Sequence, residues 1–396
     1  MAFLGTAVRE HRMGAMRALM EREELDALAF TGADFFQFAT NFATDVQPWE
    51  RPVLALVPRT GEPFVVLAEL SEHHWRYATE AGRLWVREAH FYAEHPRVSE
   101  RTTLVGEWPE LVAELLKARG LARGKIGTDA ATGPLSRAVG LLPGAVLRAV
   151  TAGARALRWV KHEEEIALMR EIAALTDWVQ ERYRENIRPK RLTLELDMMM
   201  AAAIAEEGAK RFAGQHLEIM RAWTISGPSS SAPHGDGRSA GARIETGHGM
   251  INIVVLRVNG LAVENERTWF CGAPSSEQAR LFEVARAANE AAIAASVTGR
   301  PVSGIDAAAQ AVIEKAGCGD LIRHRTGHGM GTIGHEFPED MAFNHRALIE
   351  NEVYSAEPGI YVYGLGGFRH DDTVVVGAVP ESLTKAPKDL KSQTIA

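Results

Sequence analysis

Residues 158–183 read RWVKHEEEIALMREIAALTDWVQERY, and Ile166, Met169, Ala173, Thr176 and Val179 recur on one helical face. A helix that long carries an apolar stripe that a broad surface must cover. The chain offers that surface as strand-like runs: MINIVVLRV (250–258), LAVENERTWF (261–270), EVYSAEPGIYVY (352–363) and DTVVVGAV (372–379). Three more helices are expected. One is capped by Thr193 and ends near Gly208. One follows Pro274, with Ser275 and Gln278 as a capping box, and runs to about Val297. One runs from a Ser303 cap to Gly317. Helices in pairs, each pair followed by antiparallel strands, predict a duplicated α+β unit.

The residues before this segment have another character. Residues 7–24 carry Val8, Met13, Met16, Leu19 and Met20 at helical spacing, and DALAFTG from Asp26 reads as a buried strand. Residues 52–69 form two apolar runs around Thr60-Gly61-Glu62, a hairpin pattern. A helix over 109–118 and a strand over 125–129 complete an α/β layer domain. The expected boundaries are therefore 1–157 and 158–396.

Composition narrows the partners. The chain has 44 basic and 51 acidic residues, a net charge of −7, and no basic run, which disfavours nucleic acid and anionic membranes. Two cysteines, Cys271 and Cys318, exclude a disulfide scaffold and suit a reducing cytoplasm. The N-terminal MAFLGTAVREHRMG turns polar too early for a signal peptide, and no stretch of ~18 apolar residues appears.

Chemistry-bearing residues gather in five segments of the second half: Pro233-His234-Gly235-Asp236, Glu264-Asn265-Glu266-Arg267-Thr268, Gly327-His328-Gly329 with Gly334-His335-Glu336, Ala356-Glu357-Pro358-Gly359, and Arg369-His370-Asp371-Asp372. Their order resembles the creatinase/prolidase/methionine aminopeptidase, or pita-bread, family over about residues 155–380. The resemblance implies a pita-bread catalytic domain behind a creatinase/prolidase-like α/β N-terminal domain. In the peptidase members it implies two metal ions held by Asp, Asp, His, Glu and Glu. With Gly247 and Gly260 fixing the register, those positions here are Ile253, Glu264, His328, Glu357 and Asp371. A bridging carboxylate holds two cations ~3.5–4 Å apart, and Ile253 cannot do so. The expectation is therefore an enzyme with no metal and no other cofactor. A single ion on Glu264, His328, Glu357 and Asp371 remains chemically compatible, since these are hard-metal ligand types.

The metal-free creatinase branch offers a closer resemblance. It implies His234, in APHGDG, as the catalytic histidine, and Glu266, in NERTWF, as a distinguishing glutamate where the peptidases carry Thr. Side chains alternate along a strand, so Glu264 and Glu266 share a face. The same branch implies that a second subunit lends Trp49 and Arg51, in PWERPV, to the site, and hence a homodimer with shared sites. A pocket of Glu264, Glu266, Glu357 and Asp371 with His234, His328 and His335 concentrates carboxylates, which an organic cation relieves. Trp49 can stack on a planar cation and Arg51 can grip a carboxylate. The expected substrate is a small zwitterion with an amidinium or guanidinium group.

Creatine and ectoine both qualify. After GHGMGTIGH the chain reads EFPEDMAF, with no Arg, and Ile253 stands where creatinase keeps Asn; both count against creatine. The stretches GPSSSAPHGDGR and VNGLAVENERTWFCG resemble the ectoine hydrolases of the family, which implies ring opening to N-acetyl-2,4-diaminobutyrate. In that reading Glu266 is nucleophile or base and His234 shuttles the proton. Glu357 and Glu264 orient the cation, and His328 and His335 steady the carboxylates. A deacetylase for the product is a candidate downstream partner. The alternatives are a creatine amidinohydrolase, a metal-dependent Xaa-Pro peptidase, a lyase on a sulfonium zwitterion, and a non-catalytic binding module.

Overall fold

In the computed structural model, which describes residues 4–93, 104–131, 133–336 and 341–395, contacts divide the chain into Phe3–Arg158 and Trp159–Ala396. The first three residues of the N-terminal stretch and residues 337–340 of EFPEDMAF lie outside the described set.

The unit Phe3–Arg158 is built on a six-stranded mixed sheet. Its order is Glu88–Tyr92, Phe64–Ala68, Leu54–Pro58, Ala27–Phe30, Lys125–Thr128 and Val146–Ala149. The hairpin around Gly61 pairs Leu54–Pro58 with Phe64–Ala68 antiparallel, as the apolar runs predict. The central strands are buried on both faces, and alternation sorts their side chains into two cores. Leu28, Phe30, Ala55, Val57, Val65 and Leu67 pack with Met13, Met16, Leu19 and Met20 of the helix Thr6–Arg22. Ala27, Ala29, Leu54, Leu56, Phe64 and Val66 pack with Trp108, Val112 and Leu116. That last trio, spaced by four, carries the helix Leu104–Ala118 back past Pro109, where the sequence pattern starts it.

The unit Trp159–Ala396 carries the pattern of helix pairs and strands. The helix expected over 158–183 runs instead over Glu163–Asn186. His162 caps it: its Nδ1 accepts from the Glu164 amide at 3.2 Å, and the Glu165 carboxylate accepts from the His162 amide at 2.8 Å. The box of Ser275 and Gln278 opens Ser276–Ala295 as expected. Thr193 and Ser303 are first helical residues rather than caps. Their amides donate to the carbonyls of Ala242 at 2.9 Å and Asn344 at 2.8 Å, so neighbouring loops do the capping.

The main sheet runs antiparallel in the order Val353–Ala356, Asp371–Val375, Leu261–Cys271, Gly249–Val258 and Leu217–Ser226. Two findings differ from the sequence pattern. EVYSAEPGIYVY is two strands, broken at Glu357-Pro358; its second half, Gly359–Val362, pairs with Gly366–Arg369 in a separate hairpin. Pro358 has no amide hydrogen to continue a ladder. The strand Leu217–Ser226, unpredicted, pairs with Gly249–Val258 and bulges between Ile219 and Arg221.

Gln180 of the long helix fixes which face is which. Its side-chain amide donates to the carbonyls of Asn252 and Asn265 at 3.1 and 3.0 Å, and accepts from the Trp269 indole at 3.1 Å. Asn265 and Trp269 thus face the helix Glu163–Asn186, and Glu264 and Glu266 face the other way. Cys271 and Cys318 are buried free thiols. No helix among the described residues is long and apolar enough to cross a membrane.

Candidate active site

Three adjacent strands bring one row of side chains together: Ile253 stands opposite Glu266, and Glu266 opposite Asp371. Glu264 lies two residues along the same face. Ile253, Glu264 and Glu266 floor a cavity of about 80 Å³, walled by Glu357, His324, Arg369, His234, His335, Arg221 and Arg325. Oxygens of Glu264, Glu266 and Asp371 lie within 4.8 Å of one another.

Arg369 organises the floor. Its Nη2 donates to Glu266 Oε1 at 2.9 Å, and its Nε donates to Glu266 Oε2, a two-pronged ion pair that is buried on both sides. Its Nη1 donates to the Tyr361 hydroxyl at 2.9 Å and to the Pro233 carbonyl at 3.2 Å. Tyr361 and His324 Nε2 are 2.6 Å apart, and His324 Nδ1 donates to the Arg325 carbonyl at 2.7 Å. One guanidinium therefore ties Glu266 to the loop that carries His234.

The carboxylates differ in how readily they ionise. Burial pushes Glu264 well above the usual carboxylate range, and Glu266 and Glu357 add to the push. Burial pushes Asp371 well up too, with Glu264 next in effect. Neither oxygen of Asp371 has a hydrogen-bond partner among the described residues. Glu266 is raised by burial, but Arg369 pulls against it. At Glu357 burial pushes up, and His328, His324 and Arg369 outweigh it, so the group is lowered. Glu266 and Glu357 are thus the carboxylates that keep their charge most readily, and Glu264 and Asp371 the ones whose charge is most strongly disfavoured.

Histidines line the opposite side. His328 donates through Nδ1 to the Gly329 carbonyl at 2.9 Å, so its Nε2 faces Glu357 at 3.4 Å and Glu264 at 3.7 Å. Its ring stacks on His335 at 3.7 Å between centroids. Burial and then His328 lower His335 to about 4. His234, at the mouth, is lowered by burial and then by Arg369.

The site residues expected from sequence in this unit are therefore brought to one place: Glu264, Glu266, Glu357, His234 and His335 line the cavity, with His328 and Asp371 beside it. Trp49 and Arg51 belong to the other unit. Trp49 is 81% exposed, and Arg51 pairs with Glu50 at 2.6 Å. Sequence reasoning missed Arg221, His324, Arg325, Tyr361 and Arg369. It also expected the carboxylate excess to be answered by proton uptake and the ligand's cation, whereas Arg369 supplies a built-in cation.

The peptidase ligand set does not fit. Ile253 is 2% exposed, faces the floor and offers no ligand atom. Among the described residues the two groupings with metal-ligand spacing, Glu264–His328–His335 and Glu264–Glu266–Asp371, share only Glu264. Glu266 already holds a guanidinium. A pair of ions lacks its bridging carboxylate.

Fold and site together define a hydrolase of the pita-bread class. The model of metallopeptidase family M24 matches residues 167–378, and the chain belongs to that family. It is 30% identical over 359 residues to the protein named "Putative dipeptidase YkvY" of Bacillus subtilis (strain 168), covering 89% of this chain and 92% of that one. It is 29% identical over 237 residues to the Xaa-Pro dipeptidase of Pyrococcus furiosus, 59% of this chain and 65% of that one. The solved structure of dipeptidase PepE from Mycobacterium ulcerans superposes with a TM-score of 0.80 at 25% identity, covering 100% of both chains.

Proposed function

We propose that this protein hydrolyses a C–N bond of a small zwitterionic cyclic amidine of the ectoine type, without a metal ion. The observation that carries the reading is the Glu266–Arg369 pair facing aliphatic Ile253. It sets a carboxylate, ion-paired with a guanidinium, directly across from the position where the peptidase pattern needs a bridging ligand and this chain has an aliphatic side chain. Glu357 neutralises the amidinium, and the electrophilic carbon comes to Glu266. Glu266 adds to that carbon or aligns the water that does. His234, neutral at pH 7, takes the water proton and passes it to the ring nitrogen as the C–N bond breaks. One water is consumed, and an amide and an amine result.

Incubation with ectoine and with creatine, read by mass spectrometry, tests the substrate. Ring-opened N-acetyl-2,4-diaminobutyrate is expected, and urea from creatine would overturn the choice. A single turnover in ¹⁸O water reads the route: label in Glu266 means attack by the carboxylate.

A second reading is a metal-dependent dipeptidase. The names of the relatives favour it, and Glu264, His328 and His335 could together hold one ion. Exhaustive chelation separates the two. Cyclic-amidine turnover that survives it supports the first reading, and Xaa-Pro hydrolysis that disappears with it supports the second.

A further inference from the structure

The cavity has an electrical polarity that the catalytic groups leave unused. Its floor holds Glu264 and Glu266, both buried, with Arg369 committed to Glu266. Toward the mouth stand two other guanidinium groups, Arg221 and Arg325. Neither is paired with a carboxylate among the described residues. Each is held in place by a ring. Arg221 lies 5.5 Å from the centroid of the Trp223 ring, and Arg325 Nη2 is 3.3 Å from His335 Nδ1. Arg325 Nε is buried with no hydrogen-bond partner among the described residues. The two reach the cavity from separate elements. Arg221 stands opposite Val255, whose other neighbour is Glu264, at the point where its strand bulges; Arg325 precedes the turn of Thr326-Gly327-His328.

We propose that Arg221 and Arg325 form a carboxylate seat within this chain, which fixes a zwitterionic ligand with its cationic end on the floor and its anionic end at the mouth. Guanidinium groups suit this because their donors match a carboxylate's two oxygens. The seat orients the ligand so that the electrophilic carbon meets Glu266. It replaces Arg51 of a second subunit as the carboxylate partner. The identity of the cationic end rests on the function proposed above; the seat does not.

Calorimetry on the full-length protein with matched ligands tests it. Ectoine is compared with the same ring lacking the carboxylate, 2-methyl-1,4,5,6-tetrahydropyrimidine, and Ala-Pro with Ala-prolinamide. Arg221→Gln and Arg325→Gln should each weaken the carboxylate-bearing ligand about 10- to 100-fold, as expected for a lost charge-assisted hydrogen bond, and weaken its counterpart without the carboxylate about twofold or less. Arg325→Lys should recover part of the loss, and in turnover KM should move far more than kcat. Equal weakening of both members of a pair overturns the seat. So does a carboxylate that gives no advantage in the unmodified protein, or a loss found only in Arg51→Ala. Binding of Ala-Pro but not ectoine, still dependent on the arginines, keeps the seat and removes the cyclic-amidine reading.

Discussion

Asp371 and Asp372 are chain neighbours, both fully buried, on opposite faces of one strand. Asp372 accepts from Arg267 Nη2 at 2.8 Å, from the Thr384 hydroxyl at 2.6 Å and from Lys388 Nζ at 2.7 Å. Burial alone would raise it, but Arg267 and Lys388 hold it well below the usual carboxylate range. Asp371 has neither oxygen hydrogen-bonded among the described residues and is pushed far the other way. The same residue type at the same depth is finished as structure on one face and left electrically open on the other. Open, desolvated carboxylates mark the face that does chemistry.

Four variants probe that contrast. The largest effect should come from the closed face. Asp372→Ala strands buried Arg267 and should cost ~3–5 kcal/mol of stability, read by denaturant melts. In the unmodified protein the contribution of Asp372 is present above about pH 4, the unfolded carboxylate range, and is lost as pH falls further, because its folded pKa lies lower. A loss below ~1 kcal/mol would mean that the closed face is not doing structural work. On the open face, Glu266→Gln removes the charge that partners buried Arg369, so it should lower the melt too, though less than Asp372→Ala because the amide oxygen still accepts from Arg369, and lower turnover at least ~10²-fold. Ectoine affinity should change much less, since the contact matters in the transition state. Near-normal turnover would move the role to Glu357. Asp371→Asn should have the opposite sign to Asp372→Ala. It removes a carboxyl that repels Glu264 and keeps the shape, so the melting temperature should hold or rise by roughly 2–4 °C. A fall as large as that of Asp372→Ala would erase the distinction between the faces. The smallest effect is in the pH profile. His234 must be neutral to accept a proton, and its pKa lies below 6.5, so the acid limb of kcat/KM should lie below pH 6.5 and vanish in His234→Ala.

How far the sequence foretold this site follows from the kind of signal each residue carries. Glu264 and Glu266 share a face because strand alternation is strict, and LAVENERTWF is regular from end to end. Ile253 could be matched to a ligand position of the family it resembles because Gly247 and Gly260, which take φ of +87° and +84°, anchor the family's spacing on this chain. Arg221 was invisible for the converse reason. The bulge between Ile219 and Arg221 breaks the period of two, so LEIMRAWTIS never shows alternation and its strand goes unread. Tyr361 and His324 meet across 37 residues through a hairpin that looks like a continuation of the preceding strand. The α/β layering of the first unit and the duplicated α+β pattern of the second needed only apolar patterning, which survives such local breaks; the pita-bread expectation came with the resemblance carried by the five polar segments.

The hydrogen bonds of Arg369 have a mechanical consequence. Two of its nitrogens grip Glu266, and the third reaches the Pro233 carbonyl, the residue just before His234. Glu266, the carboxylate proposed to attack, and the loop of His234, the proposed proton carrier, are mounted on one planar bracket. A guanidinium does not flex, so a displacement of that loop is transmitted to Glu266 as a change in pointing angle. The spacing between Glu266 and the backbone that carries His234 is thereby a fixed gauge, cut by one side chain, and Lys, with a single nitrogen on a flexible stem, could not hold it.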